Sequence, residues 1–279
     1  MSVRVSASTS NLGAGFDCLG LALDLWLETR LESGRGEAVY GGTLESLDPD
    51  DDLIAAILLE RDLLRGKRLI VTSNIPVGRG LGSSAAATVA ALLLAGLEGD
   101  DLYREAVQRE GHPDNVGPAI YGGLVLAAHK PTRLPLHRSI GIALAVPELI
   151  ISTKTARERL PIEVPRSVVV QQAQRAAALV HGLVHGDADL VDYGMDDRLA
   201  VPVRKNLIPG YDDAVEAGLV AGAWGVTISG AGSTLVAVTD VSIADSVAEA
   251  MAEALTGAGT VAMPMAPGVV TRPEGHGAS

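Results

Sequence analysis

The sequence predicts a chain built from both strands and helices, and three stretches carry that reading. Arg68-Leu-Ile-Val-Thr72 reads as a strand, runs into glycines at 78, 80 and 82, and continues into a small-residue helix from Ala85 to Leu97. Trp224-Gly-Val-Thr-Ile228 reads as another strand and feeds a second glycine loop, Ser229-Gly-Ala-Gly-Ser233, ahead of a strand over Thr234–Thr239. Between them, apolar residues recur at helical spacing from Val168 to Gly186.

The remaining elements follow in order. Val3 and Val5 alternate with polar neighbours as in a strand and lead into the turn-rich stretch 6–15. Leu19 to Glu28 fits a strand or a short helix. Leu47-Asp-Pro-Asp-Asp-Asp52 is an acidic turn and a good N-terminal signal for a helix over Leu53–Leu64. After the glycine loop and its helix, the polar loop Glu110–Asn115 precedes a strand over Tyr121–Ala127. Lys130–Pro135 is rich in turn residues and suits a crossing between domains. Ile140–Val146 and Leu149–Ser152 read as strands, and Asp187–Leu199 prolongs the 168–186 helix with acidic helical character. Pro209-Gly210 breaks the chain before a helix at 211–221. Ala244–Leu255 is helical, Thr260–Met263 is a short strand, and Pro273–Ser279 reads as a frayed tail.

Composition sets bounds on function. A length of 279 residues allows two modest domains or one large one. With 47% hydrophobic and 20% charged residues, the chain has ample core for a soluble globular protein. Aromatics supply only 3%, so Val, Leu, Ile and Ala must do the packing. A net charge of −12 opposes nucleic-acid binding and adhesion to anionic membranes. Cys18 is the only cysteine, so an intrachain disulfide is excluded. The apolar run 85–97 is too short to span a bilayer, and residues 1–7 lack the apolar core of a signal peptide. Cytoplasmic residence is the expectation.

The stretch Ile75-Pro-Val-Gly-Arg-Gly-Leu-Gly-Ser-Ser-Ala-Ala-Ala-Thr88 is the most informative. Three glycines within five residues let successive N–H groups converge, just ahead of a helix N-terminus whose unpaired N–H groups and dipole favour an anion. Ser83 and Ser84 add hydroxyls for a phosphate or a metal ion. No Gly-Lys-Ser/Thr triplet closes the loop, so it is not a Walker A sequence. The plainer reading is a glycine turn that binds nothing.

Two further clusters carry polar groups. In Ser10-Asn-Leu-Gly-Ala-Gly-Phe-Asp-Cys-Leu-Gly20, Asn11 and Asp17 flank glycines and either face a ligand or cap a turn. Glu110-Gly-His-Pro-Asp-Asn-Val116 gathers Glu110, His112, Asp114 and Asn115; a carboxylate with serine oxygens suits Mg²⁺, and a solvated surface loop is the alternative.

These motifs, in this order, resemble the GHMP small-molecule kinases. Pro-x-x-x-Gly-Leu-Gly-Ser-Ser-Ala-Ala is similar to that family's phosphate loop, and Ser229-Gly-Ala-Gly-Ser-Thr234 to its third motif. Ser-Asn-Leu-Gly-x-Gly-Phe-Asp-x-Leu-Gly and Glu-Gly-His-Pro-Asp-Asn-Val resemble the homoserine kinase branch, as do Ile151–Pro161 and Val203–Tyr211. Ser6, Ala14 and Ser233 stand where family members often carry proline. The resemblance runs from about Val3 to Val238, nearly the whole chain.

It implies an α+β fold of two domains: residues 1–140, ribosomal protein S5 domain 2-like and ATP-binding, and residues 141–279, ferredoxin-like. It implies phosphoryl transfer from ATP to the side-chain hydroxyl of L-homoserine, in threonine biosynthesis. The ATP phosphates would lie against Pro76, Val77, Gly78, Arg79, Gly80, Leu81, Gly82, Ser83, Ser84, Ala85 and Ala86. Mg²⁺ would be held by Ser84 and Glu110, with Glu105 the alternative acid. Asn11, Asp17, His112, Arg204, Ser229, Gly230 and Gly232 would meet the substrate, Asp17 as ammonium partner and Arg204 as carboxylate clamp. Asp114, Asn115 and Glu110 form the catalytic group; Asp114 acts as general base, or transfer proceeds without a base. A kinase for another small alcohol and a non-catalytic ligand-binding protein are the alternatives, and a homodimer is left open.

Overall fold

Residues 2–34 and 36–271 are described by the computed structural model, so the expected tail 273–279 lies outside the described residues. The first half forms β1 (Ser2–Asn11), β2 (Gly15–Ser33), β3 (Val39–Gly42), α1 (Leu53–Glu60), β4 (Lys67–Ser73), α2 (Ser83–Leu94), α3 (Gly99–Glu110), α4 (Val116–Tyr121), β5 (Leu124–Leu126) and β6 (Thr132–Leu134). The second forms β7 (Ile140–Pro147), α5 (Thr153–Glu158), α6 (Arg166–His185), α7 (Ala188–Met195), α8 (Val201–Arg204), α9 (Tyr211–Val220), β8 (Gly225–Ile228), β9 (Leu235–Asp240), α10 (Ala244–Gly257) and β10 (Ala262–Met265). The fold is α+β, with a six-stranded sheet ordered β3-β4-β2-β5-β6, β1 pairing with β2, and a four-stranded sheet ordered β10-β7-β9-β8. Only the β3–β4 pair is parallel among the described strands.

The 19-28 ambiguity resolves as strand. Leucines at 19, 21, 23, 25 and 27 recur every second residue, and β2 uses them to pair with β1, β4 and β5 along its 19-residue length. Asp52 caps α1 as the acidic turn predicts, its Oδ1 accepting from Ile54 N at 2.8 Å and Ala55 N at 3.0 Å.

Other stretches differ from expectation. Residues 6–11, read as turn, complete β1, because Ser8, Thr9 and Ser10 find buried hydrogen-bond partners from distant loops. Residues 99–110, unassigned from the sequence, form α3 around buried Leu102, Tyr103 and Ala106. Tyr121 closes α4 rather than opening a strand, since Gly122 ends the helix at φ 66° and β5 begins only at Leu124. No strand forms at 149–152; Ser152 instead caps α5, accepting from Thr155 N at 3.0 Å.

The main core packs α2 against the first sheet and continues to Leu179, Leu183, Val191 and Met195 of α6 and α7. A second apolar cluster lies between the four-stranded sheet and α9 and α10. The segment after β10 returns to the first sheet, where Gly268 O accepts from Asp24 N at 2.8 Å and Val270 O from Gly123 N at 2.6 Å.

Candidate active site

The glycine loop takes its shape from three left-handed residues: Gly78, Gly80 and Gly82 have φ of 70°, 75° and 68°. A Cβ on Gly80 would collide with the Ser229 carbonyl, and one on Gly82 with Ser8 Oγ, so neither position has room for a side chain. Gly82 is the N-cap of α2 and offers no side-chain acceptor. The first helical bond runs from Ala86 N to Gly82 O, which leaves the N–H groups of Ser83, Ser84 and Ala85 ahead of the helical ladder.

The second glycine loop closes over the first. Ser229 Oγ donates to Gly80 O at 2.7 Å, so the 2.8 Å contact between Thr9 Oγ1 and Ser229 Oγ is donated by Thr9. Gly230 N donates to Ser10 O at 3.1 Å and Thr234 N to Arg79 O at 3.2 Å. Arg79 spends its guanidinium on the carbonyls of Val77, Pro147 and Glu148.

A cleft of about 480 Å³ opens between these loops. Gly78, Gly80, Gly82, Ser83, Ser84 and Ala85 line one side; Asn11, Asp17, Glu110, His112, Asp114, Asn115, Arg204 and Gly230 also face it. Leu81 and Ala86 are buried, and Pro76, Val77 and Arg79 line a neighbouring groove of about 740 Å³ that shares Gly78. Ser229 and Gly232 do not line the cleft; Ser229 lies beneath it on Gly80, and a Cβ on Gly232 would meet Ile228 at 3.2 Å.

At the loop end, Glu110 Oε1 accepts from Ser84 Oγ at 3.0 Å and from Thr88 Oγ1 at 2.6 Å. Glu105 faces away from that cluster, paired with Arg61 and with Arg109 at 3.1 Å. Asn115 is fixed by β1: its Oδ1 accepts from Ser8 Oγ at 2.9 Å and its Nδ2 donates to Ser10 Oγ at 3.0 Å. Asp114 is 2% exposed, with Oδ1 taken by His112 Nδ1 at 2.8 Å and Asn115 N at 3.0 Å. That hydrogen bond to Asp114 raises the His112 pKa above its ordinary value.

Elsewhere in the cleft, Asp17 sits at φ 54°, and Asn11 Oδ1 accepts its N–H at 3.0 Å. Its carboxylate is gripped by Arg157 through Nη2 at 2.7 Å and Nη1 at 3.1 Å. Arg204 is 4% exposed and donates to Ala156 O at 3.2 Å and Gly230 O at 3.1 Å, the carbonyl that Asn11 Nδ2 also reaches at 3.0 Å. Burial pushes the Arg204 pKa down, and Arg157 adds to the effect. Both guanidiniums flank the Phe16 ring, at 6.0 and 5.3 Å from its centroid. Arg157, Phe16 and Thr88 were not chosen from the sequence. Arg157 lies inside the 151–161 stretch already singled out, and Phe16 sits between Gly15 and Asp17.

One cleft thus brings together loop N–H groups, a hydroxyl–carboxylate cluster, two guanidiniums, a carboxylate and an amide. Such an arrangement can place a phosphate chain beside a small charged acceptor, the geometry of a small-molecule kinase. Two family models match: GHMP kinases N terminal domain over residues 52–123 and GHMP kinases C terminal over 179–257. The homoserine kinase of Gloeobacter violaceus is 40% identical over 277 residues, covering 90% of this chain and 91% of its own. The homoserine kinase of a Nostoc species is 38% identical, with 94% of each chain covered. The crystal structure of homoserine kinase from Cytophaga hutchinsonii superposes with a TM-score of 0.84 at 31% identity, covering 98% of this chain and 96% of that one. Leishmania major mevalonate kinase, at 14% identity and a TM-score of 0.69, shares the fold. The chain belongs to the GHMP kinase family, in the branch of the homoserine kinases.

Proposed function

We propose that this protein is a homoserine kinase, transferring the γ-phosphoryl group of ATP to the side-chain hydroxyl of L-homoserine to give O-phospho-L-homoserine for threonine biosynthesis. The single observation that carries this reading is the charge pattern of the cleft: Asn11, Asp17, Arg157 and Arg204 line it together with the glycine loop. A zwitterionic amino acid needs both signs of charge there, whereas a sugar or a simple carboxylic acid does not. The names of the close relatives point the same way.

In this reading the N–H groups of residues 80–85 receive the phosphates, and the neighbouring groove past Gly78 receives the rest of the nucleotide. Mg²⁺ fits Glu110 and Ser84, an all-oxygen pair of the kind a hard cation shares with phosphates and water. Among the described residues no three or more His, Cys, Asp or Glu side chains gather as a metal site. Bound at Glu110 and Ser84, Mg²⁺ would neutralise charge on the phosphates. Asn115, clamped by Ser8 and Ser10, orients the acceptor hydroxyl. Asp114 Oδ1 is already occupied by His112 Nδ1 and Asn115 N, which favours transfer without a protein base. The new O–P bond forms as the bond to the leaving ADP breaks, and the hydroxyl proton passes to the transferred phosphoryl group.

The two sheets support a division into domains 1–140 and 141–279, with the 268–271 segment reaching back to the first. No helix among the described residues is long and apolar enough to cross a membrane; we assign the protein to the cytoplasm. ADP release measured with homoserine, mevalonate, galactose and shikimate in turn tests the substrate class. Turnover confined to homoserine supports the reading, and preference for another alcohol replaces it.

A further inference from the structure

Asp197 is a buried carboxylate outside the catalytic cluster. It is 4% exposed, and it accepts from Gln172 Nε2 and three backbone N–H groups, none of them a cation. Its Oδ2 accepts from Ala200 N and Val201 N, both at 2.6 Å, and its Oδ1 from Leu199 N at 3.1 Å. These are the leading N–H groups of the turn that opens α8, and α8 ends on Arg204. A buried charge satisfied by N–H groups is stable, and it holds the turn it caps in one position.

Gln172 of α6 links this cap to the β1–β2 turn. Its Nε2 donates to Asp197 Oδ1 at 2.6 Å and, more weakly, to Ala14 O at 3.4 Å, while its Oε1 accepts from Arg198 N at 3.0 Å. Ala14 precedes Phe16 and Asp17, and Ala14 N is itself held by Gly194 O at 3.0 Å. Asp197 and Arg204 also line a common cavity of about 10 Å³ together with Asn11 and Phe16. The carboxylate therefore stands close behind the arginine, and its charge favours keeping that arginine protonated in a desolvated site.

We propose that Asp197, seconded by Gln172, is the positioning residue that sets Arg204 and the Phe16–Asp17 start of β2 at the spacing the amino-acid substrate requires. It touches neither the glycine loop nor the Glu110 cluster, so its effect falls on the acceptor and not on the nucleotide. The inference rests on the homoserine kinase reading.

The test uses the full chain and the conservative variants Asp197→Asn and Gln172→Met. Asp197→Asn keeps the shape but turns an NH₂ toward backbone N–H groups. The expected result is a rise of about tenfold in the KM for homoserine, by loss of one hydrogen-bonded cap. The KM for ATP and the kcat at saturating homoserine stay within about twofold. Gln172→Met shifts the homoserine KM in the same direction by a smaller factor, and Asp197→Ser, which retains a capping oxygen, falls between wild type and Asp197→Asn. Calorimetric titration of homoserine in the absence of ATP shows the same order. An unchanged homoserine KM overturns the proposal, as does a parallel rise in both KM values, which marks a general structural role. If Asp197→Asn does not fold, Gln172→Met decides by the same criteria. Wild-type protein that turns over no homoserine overturns the functional reading instead, so the two failures are distinct.

Discussion

Asp17 and Arg157, 140 residues apart, meet in a two-pronged pair at 2.7 and 3.1 Å across the mouth of the cleft. The pair ties the start of β2 to α5, and it means that the acid read as an ammonium partner already carries a guanidinium. A zwitterion entering here can insert between the two charges, its ammonium toward Asp17 and its carboxylate toward Arg157 and Arg204.

Asp17→Asn removes a charge and Arg157→Lys keeps the charge but loses the two-pronged grip; with both side chains about a third exposed, each should cost about 1–3 kcal/mol of transition-state binding. Steady-state kinetics should show kcat/KM for homoserine falling by that amount, with the KM for ATP near normal. Arg204→Lys should behave likewise, because lysine cannot reach Ala156 O and Gly230 O together as the fork does. Near wild-type kcat/KM in all three variants would sink the clamp.

Glu110 and Glu105 are told apart by their partners. Glu110→Gln should lower kcat on the order of 10²-fold, the scale for removing one group that stabilises charge in flight, with little change in the KM for homoserine. Glu105→Gln should keep its kcat but lose about 1 kcal/mol of stability at neutral pH. Hydrogen bonding from Arg61 holds the Glu105 pKa below its ordinary value. Its contribution is therefore full above the unfolded-state pKa and disappears as pH falls through the lower folded-state value. Thermal melts of wild type and Glu105→Gln should converge on acidification. A difference that persists at low pH would contradict the pairing.

Most of the site could be read from the sequence because its donors lie in contiguous glycine-rich runs whose backbone dictates their use. Gly80 and Gly82 are glycine for a steric reason. The period-two leucines of β2 left strand and short helix both open in the sequence, and pairing with β1, β4 and β5 decides for the strand. What could not be read depends on contacts between distant segments. Arg157 is one arginine of eighteen until Asp17 folds against it, and the Ser-Thr-Ser run of β1 resembles a turn until Asn115 bonds Ser8 and Ser10 and Ser229 bonds Thr9. Helix α3 escaped because Asp100, Asp101 and Arg104 mask the few apolar residues, Leu102, Tyr103 and Ala106, that it buries.

Mg·ATP should slow hydrogen exchange across residues 80–86 and raise the melting temperature by mass action. Unchanged exchange at saturating nucleotide would remove the phosphates from this loop. Gly80→Ala should weaken nucleotide binding and also lower stability, since its methyl collides with Ser229 O and the residue sits at φ 75°. Gly82→Val should likewise lose stability as well as turnover, because β1 has no space for its side chain at Ser8.

Ser229→Ala removes the hydroxyl that joins Thr9 to Gly80. It leaves a buried threonine donor and a carbonyl unmatched, at a cost of about 1–3 kcal/mol. Chemical denaturation should report that loss, and the KM for ATP should rise more than the KM for homoserine, since the first glycine loop is what the hydroxyl steadies. Equal stability in wild type and variant would show that the two loops close without it.

The most direct measurement is ³¹P NMR of the reaction mixture after incubation with ATP, Mg²⁺ and L-homoserine. A new phosphomonoester signal should grow in step with ADP, and its coupling to the side-chain methylene protons should place the phosphate on the hydroxyl oxygen of homoserine. Formation of ADP with inorganic phosphate alone, or a phosphomonoester only when another alcohol replaces homoserine, would contradict the account.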